Sequence, residues 1–386
     1  MRWMIGAVLA AGLVAGQFGC KKHNSGAAAS SNEIPIGEYV SKSGDTASFG
    51  ISTDEGAQLA VEQINDAGGV LGRKIHLFVE DDQSKPEGAV SAVQKLLSQD
   101  QVVAVMGEVA SSRSIAAAPL CQNAEIPMLS PASTNPKVTK IGDYIFRACF
   151  IDPFQGSAMA NFAMKDDRGP KATKFAVLYD VKNDYSVGLR EFFEAAVKKN
   201  GGQIVADKSY GAGDFDFKAQ LTDIKAANPE AIYVPGYYTE VGLICRQARE
   251  LGITVPLLGG DGWDSDKTTQ IGGEAVNGCY FTNHYSPDED RPEVKKFVAA
   301  YRKKYNGKTP DAMAILGYDA VDMLADAIRR AGSDKPKAIR DALAATKDFH
   351  GASGVITMDA DRNAEKPIVV LKIVNDKFTY VSSIKP

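Results

Sequence analysis

The stretch "VVAVMGEVASSRSIAAAPL", residues 102–120, starts as an apolar run, breaks at Gly107, and then sets Val109, Ala110, Ser111 and Ser112 ahead of a series of helix formers. An unbroken apolar run of this length reads as a strand buried on both faces, and the two hydroxyls as the start of the helix that follows. The first N–H groups of a helix have no intrahelical partner, and its dipole favours negative charge there. A buried strand, a glycine turn and such a helix start make a place for an anion.

Outward from this unit the same alternation recurs nearly to the end of the chain. Strands are predicted at 34–40, 74–82, 102–107, 127–132 and 144–150, with helices at 54–68, 86–99 and 112–124. A second series follows Asp152-Pro153. Its strands are predicted at 174–180, 203–210, 231–237, 256–262 and 278–286, and its helices at 187–201, 217–229 and 240–252. Three more helices (292–306, 311–331, 336–346) and a strand pair (367–383) close the chain. Strand–helix alternation implies parallel sheets covered by helices on both faces, with right-handed crossovers. Two such series predict an α/β protein of two doubly wound lobes. The late elements must be shared between the lobes, so more than one connection is expected.

Composition sets outer bounds. The chain has 386 residues, 44% hydrophobic and 24% charged, and a formal net charge of −4 with both signs well mixed. That is a globular composition with no basic face for nucleic acid. "MRWMIGAVLAAGLVAGQFGC" (1–20) has the early cation, short apolar core and small residues of a secretory signal peptide. Cys20 at its end resembles the lipobox cysteine of bacterial lipoproteins, although Gln17 stands where leucine is usual. Residues 21–33 read as a flexible tether, and no second segment is apolar and long enough to span a membrane. The expected location is the periplasm or cell envelope, with lipidation at Cys20 and no other membrane contact.

Four cysteines remain: Cys121, Cys149, Cys245 and Cys279. An even count in an exported chain permits two disulfides, by placement Cys121–Cys149 and Cys245–Cys279; the alternative is four buried thiols. No CxxC occurs and the four histidines are scattered, so no metal or other cofactor is expected. GxSxG, Walker A and GxGxxG patterns are also absent, which argues against an enzyme on this scaffold.

Ligands of open α/β sheets bind beyond the carboxyl ends of the strands. Those ends carry Val109 to Ser112, then Ala132, Ser133 and Thr134 in "SPASTNP", Tyr185 in "VKNDYSVG", Tyr237-Tyr238, and Asp261 and Trp263 in "GGDGW". One lobe thus offers hydroxyls and helix-start N–H groups, the other an acid and aromatics. That pairing describes a receptor for a zwitterion, its carboxylate on Ser111 and its ammonium on a carbonyl, a hydroxyl and Asp261. Buried charges are tolerated only when each is paired and hydrogen-bonded.

At these strand ends the sequence resembles the leucine/isoleucine/valine-binding protein family, the type I periplasmic binding proteins of branched-chain amino-acid ABC importers. The similarity covers about residues 34–383 and is dense in "GAQLAVEQINDAGGVLGRKIHL", "VVAVMGEVASS", "PMLSPASTNPKVT", "YDVKNDYSVGL" and "RQARELGITVPLLGGDGW". The resemblance implies that Ser111 and the N–H of Thr134 hold the ligand carboxylate. It implies that the carbonyl of Ala132, the Thr134 hydroxyl and Asp261 hold the ammonium. Phe49 and the neighbourhood of Val109 would line the side-chain pocket, with Tyr185 and Tyr237 arriving from the second lobe. It further implies three interlobe crossings, near 151–153, 283–286 and 361–366. The lobes would then be 34–152 plus 285–362 and 153–284 plus 363–386. The expected role is capture of an L-amino acid by a monomer that delivers it to a membrane permease; the alternative is a sensory or regulatory receptor of the same fold. Three departures stand out. Asp261 occupies a position where some members carry Glu; Ser84 and Ala110 replace a cysteine pair that some members make; and Trp263 is expected beside the ammonium site.

Overall fold

A computed structural model describes residues 32–386. The expected signal peptide, Cys20 and nearly all of the tether lie outside the described residues. The chain runs β1 (Glu33–Val40), α1 (Ala47–Asp66), β2 (Lys74–Asp81), α2 (Pro86–Ser98), β3 (Ala104–Met106), α3 (Ser111–Ala124), β4 (Met128–Ser130) and β5 (Ile145–Arg147). These five strands form one parallel sheet in the order β2-β1-β3-β4-β5.

Next come α4 (Asp152–Lys165), β6 (Lys174–Asp180), α5 (Asp184–Lys199), β7 (Gln203–Tyr210), α6 (Lys218–Ala226), β8 (Ala231–Tyr233), α7 (Tyr238–Glu250), β9 (Leu257–Gly259), α8 (Asp266–Gly272) and β10 (Tyr280–Asn283). The chain ends with α9 (Pro292–Lys304), α10 (Ala312–Ala331), α11 (Pro336–Ala344), β11 (Phe349–Gly351), β12 (Gly354–Met358), β13 (Ala364–Glu365), β14 (Ile368–Val374) and β15 (Lys377–Ile384). The second sheet has the order β15-β14-β10-β9-β8-β6-β7, parallel except where β14 and β15 join, and β11-β12-β13 form a small third sheet.

The opening stretch folds as a doubly covered strand because its alternate residues serve two cores. Ala104 and Met106 pack with Ile34, Ile36, Ala60 and Leu324 under α1 and α10. Val105 faces the other way, against Tyr39, Val93, Leu96 and Ala117 under α2 and α3. In the second sheet Ala176 and Ile232 meet Leu221 and Ile244, while Phe175, Val177 and Tyr233 meet Phe162, Leu189 and Phe193. Residues 152–165 form a helix where no element was predicted. "DPFQGSAMANFAMK" shows no apolar stripe of helical period because α4 is buried on several sides, against α5, β10 and β14. α1 also starts at Ala47, seven residues ahead of the predicted start at 54.

The chain passes between the two sheets three times: between β5 and α4, between β10 and α9, and between β13 and β14. The strand leading into the first crossing meets the segment ahead of β13, the Arg147 N–H at the end of β5 donating to the Arg362 carbonyl at 3.2 Å. All four described cysteines are buried free thiols, so the expected disulfides are not formed. Cys121 packs from α3 against the Tyr39 side of the first sheet, whereas the Cys149 thiol donates to the Ser133 carbonyl at 3.4 Å. The Cys245 and Cys279 thiols do meet, in hydrogen-bonding contact inside the second lobe's core. Among the described residues no helix is long and apolar enough to cross a membrane, and no His/Cys/Asp/Glu group could hold a metal ion.

Candidate functional site

Beyond β3 the chain must turn sharply under Tyr39, and only glycine fits. Gly107 has φ +132°, and a Cβ there would lie 2.3 Å from the Tyr39 carbonyl oxygen. The next residue, Glu108, is wholly buried and anchors the turn. Its carbonyl accepts from the hydroxyls of Ser130 (2.7 Å) and Ser133 (2.8 Å), and its carboxylate pairs with Arg113 at 3.1 Å. α3 then begins with Ala110 at its N-cap position and no side-chain cap. Its first donors, at Ser111 and Ser112, are therefore left to whatever enters the cleft. The Ser111 hydroxyl accepts the Asn135 N–H at 3.2 Å, which ties this helix start to the loop after β4.

That loop carries Ala132, Ser133 and Thr134. The buried Arg147 guanidinium holds it from behind, donating to the carbonyls of Ser133 (2.5 Å) and Asn135 (2.8 Å). Ser133 points away from the cleft. Its hydroxyl is taken up by Ser114 and the Glu108 and Val109 carbonyls, so this predicted contact is instead a brace of the loop. The Thr134 hydroxyl is buried without a hydrogen-bond partner among the described residues. Nearby, at the start of α4, Asp152 is wholly buried, with its carboxyl facing the Thr134 hydroxyl. Burial pushes that carboxyl well above the usual carboxylate range.

The second lobe brings Asp261 on a 3₁₀ turn after β9. The residue is 3% exposed, and three side chains hold its carboxylate. Gln155 Nε2 (2.7 Å) and the Tyr185 hydroxyl (2.9 Å) donate to Oδ1, and His284 Nε2 lies 3.0 Å from Oδ2. No lysine or arginine pairs with it among the described residues. Gly260 lets these groups converge, since a Cβ there would lie 2.5 Å from the Tyr185 hydroxyl. Asn183 caps α5 by accepting the Tyr185 N–H at 3.1 Å, which fixes where that tyrosine starts.

Aromatic residues cover the site from both lobes. Tyr185 and Tyr237 stack at 5.3 Å, and Phe49 from α1 meets the rings of Tyr237 (5.6 Å) and Tyr238 (4.8 Å) edge-on. Val109, Ala132 and Phe49 share one apolar cluster with Tyr238. Trp263 does not join them. It is fully buried in its own lobe, its indole N–H on the Val234 carbonyl at 2.9 Å and its ring near Phe281, so it packs the core instead of lining the cleft.

The lobes are closed on one another. The Ser48 N–H donates to the Tyr238 hydroxyl (3.1 Å), Ser48 and Ser265 share a hydroxyl contact (2.8 Å), and Asn135 Nδ2 donates to the Asp184 carbonyl (2.7 Å). Ser112 and Asp184 exchange two further bonds at 3.0 and 3.1 Å. At the mouth a cavity of ≈ 140 Å³ remains between the lobes, lined by Thr46, Ser84, Ala110, Arg113, Asn183 and Tyr237 among others.

Two covered parallel sheets, crossed three times and closed on a polar interlobe seam, define the two-lobed binding proteins of type I fold. A family model described as periplasmic binding protein matches residues 33–377, and the chain belongs to that family. It is 33% identical to Leu/Ile/Val-binding protein homolog 3 of Brucella melitensis, over 88% of this chain and 91% of that one. Among solved structures it resembles the leucine-binding protein LivK of Thermotoga maritima, at 42% identity and a TM-score of 0.87, covering 92% of this chain and 99% of that one. It also resembles the branched-chain amino-acid binding protein LivJ of Streptococcus pneumoniae in complex with isoleucine, at 37% identity and a TM-score of 0.87, covering 92% of this chain and all of that one.

Sequence reasoning missed Asp152, Gln155 and His284. The first two sit on α4, whose helical nature was illegible. His284 looked like one of four scattered histidines, and nothing local marks it as a neighbour of Asp261.

Proposed function

We propose that this protein is the extracytoplasmic receptor of an ABC importer, capturing an L-amino acid, aliphatic by default, between its lobes and delivering it to a membrane permease. The observation that carries the reading is Asp261: a buried carboxylate contacted by three side chains, with no lysine or arginine to neutralise it among the described residues. A ligand ammonium supplies that charge. On the facing lobe the uncapped start of α3 at Ser111 and the Thr134 N–H suit the ligand carboxylate, while the Ala132 carbonyl and the Thr134 hydroxyl suit the ammonium. Phe49, Val109, Tyr185 and Tyr237 offer an apolar enclosure for the side chain. The names of the relatives and the isoleucine in the LivJ complex agree with this ligand class.

A ligand that touches both lobes shifts the population toward closure, and closure builds the surface a permease reads. The Cys20 lipid anchor, with the tether behind it, belongs to the same proposal and would hold that surface near the membrane. The test is a thermal-shift screen of residues 33–386 against the twenty amino acids and small amides. A ligand that binds only the folded state raises the melting temperature by mass action. A rise confined to one or a few aliphatic amino acids supports the reading, and no rise with any of them overturns it.

A further inference from the structure

His284 is a buried titratable group in the interlobe crossings. It follows β10 on the second crossing, is 2% exposed, and stacks on Phe150 of the first crossing at 3.9 Å and 18°. Its Nε2 lies 3.0 Å from Asp261 Oδ2, while Nδ1 is buried with no hydrogen-bond partner among the described residues. Asp261 is thus held at one oxygen by its own lobe, through Tyr185 and Gln155, and at the other by a crossing strand. Gln155 reinforces the link by also donating to Thr282 Oγ1 at 3.0 Å, two residues before His284.

We propose that His284 is a positioning residue for the ligand site: its neutral imidazole aims Asp261 at the ligand's ammonium group, and its protonation weakens amino-acid binding. The proposal rests on the reading of Asp261 as the ammonium partner. The chemistry is a competition for one carboxylate. An imidazolium at Nε2 neutralises Asp261 and places a second positive charge beside the incoming ammonium, so proton and ligand exclude each other.

The surroundings favour the neutral ring. Asp261 faces it from the turn after β9, and Lys366 on the third crossing adds a positive charge nearby. Cys149 and Asp152 flank Phe150 on the first crossing, the thiol and carboxyl both pushed up by burial. Glu289, Arg291, Glu293, His350 and Lys385 stand across the cavity behind the crossing that His284 also lines. Burial outweighs the Asp261 attraction and holds the imidazole below its usual range. A bound ammonium lowers it further. Affinity is therefore full through the usual histidine range and falls only at the lower pH where this buried imidazole takes up a proton.

The experiment is calorimetric titration with leucine from about pH 5 to pH 7.5, on the wild type, His284→Gln and His284→Leu. Gln keeps an N–H donor for Asp261 and cannot titrate. It is expected to bind close to wild type at the upper end and to lose the decline at the lower end, whereas Leu weakens binding at every pH. Equal pH profiles for wild type and His284→Gln overturn the inference alone. Failure of the wild type to bind any amino acid overturns the proposed function and this inference together. Should the variants fail to fold, proton NMR of the wild-type imidazoles decides: one buried histidine whose titration shifts to lower pH on adding leucine supports the assignment, and histidines indifferent to leucine refute it.

Discussion

Replacing Asp261 by asparagine tests the charge logic of the site with little change of shape. The amide oxygen can still accept from Gln155 and Tyr185, but its NH₂ then confronts the His284 nitrogen that lies 3.0 Å away. The ligand's ammonium loses its anion while keeping the Ala132 carbonyl and the Thr134 hydroxyl of the proposed site. Removing one partner of a buried, hydrogen-bonded charge pair costs about 2–5 kcal/mol. With two neutral acceptors retained, the lower half of that range applies, about 3 kcal/mol or roughly 100-fold in Kd. The assay is calorimetry near neutral pH with leucine and with 4-methylpentanoate, which has the same skeleton and carboxylate but no amine. Leucine affinity should fall by that factor and the amine-free analogue should lose far less. An Asp261→Asn protein that binds leucine as tightly as wild type refutes the assignment.

Ser111→Ala should weaken leucine binding by about 1–3 kcal/mol, the range for a hydrogen bond to a charged group, with no comparable loss of thermal stability; an unchanged Kd excludes the hydroxyl from the site. Tyr238→Phe removes the acceptor that the Ser48 N–H uses across the closed lobes. Losing about 1 kcal/mol there shifts the open–closed balance roughly fivefold, to be read as weaker leucine binding and a larger radius in small-angle scattering; no change in either means that the contact does not govern closure. Asp264 and Asp311 face each other across the lobe seam, the former accepting the Ala312 N–H at 2.7 Å, and burial raises them to about 7 and about 6. Folded values above the unfolded ones mean stability that is lost as pH rises from about 4 to about 7, so Asp264→Asn should flatten the decline of the ligand-free Tm across that window; an equally steep decline removes the pair as its source. Thiol titration of residues 33–386 in denaturant should count the four free cysteines, and a count of two or none would show that pairs have closed.

Alternation alone determined much of this protein. "VVAVMG" reads as a doubly covered strand because each of Ala104, Val105 and Met106 needs an apolar neighbour, whichever face it takes. From such runs the two series of strands and helices follow, and with them the rule that ligands meet strand ends. Ser111, Thr134, Tyr185, Tyr237 and Asp261 could therefore be picked out with no coordinates. Local pattern failed where packing surrounds an element. α4 has no polar side to set its period, and so Asp152 and Gln155 stayed hidden. It also failed on direction: Ser133 and Trp263 stand in the right loops, but only the fold turns the one toward Glu108 and the other into the lobe core. The company of Asp261 is the clearest division. Its place at a strand end is written within a few residues, whereas Gln155, Tyr185 and His284 lie 106, 76 and 23 positions away and converge only when the crossings bring them together. Period records which face a residue needs to bury, while the reach of a buried charge depends on partners that chain topology alone delivers.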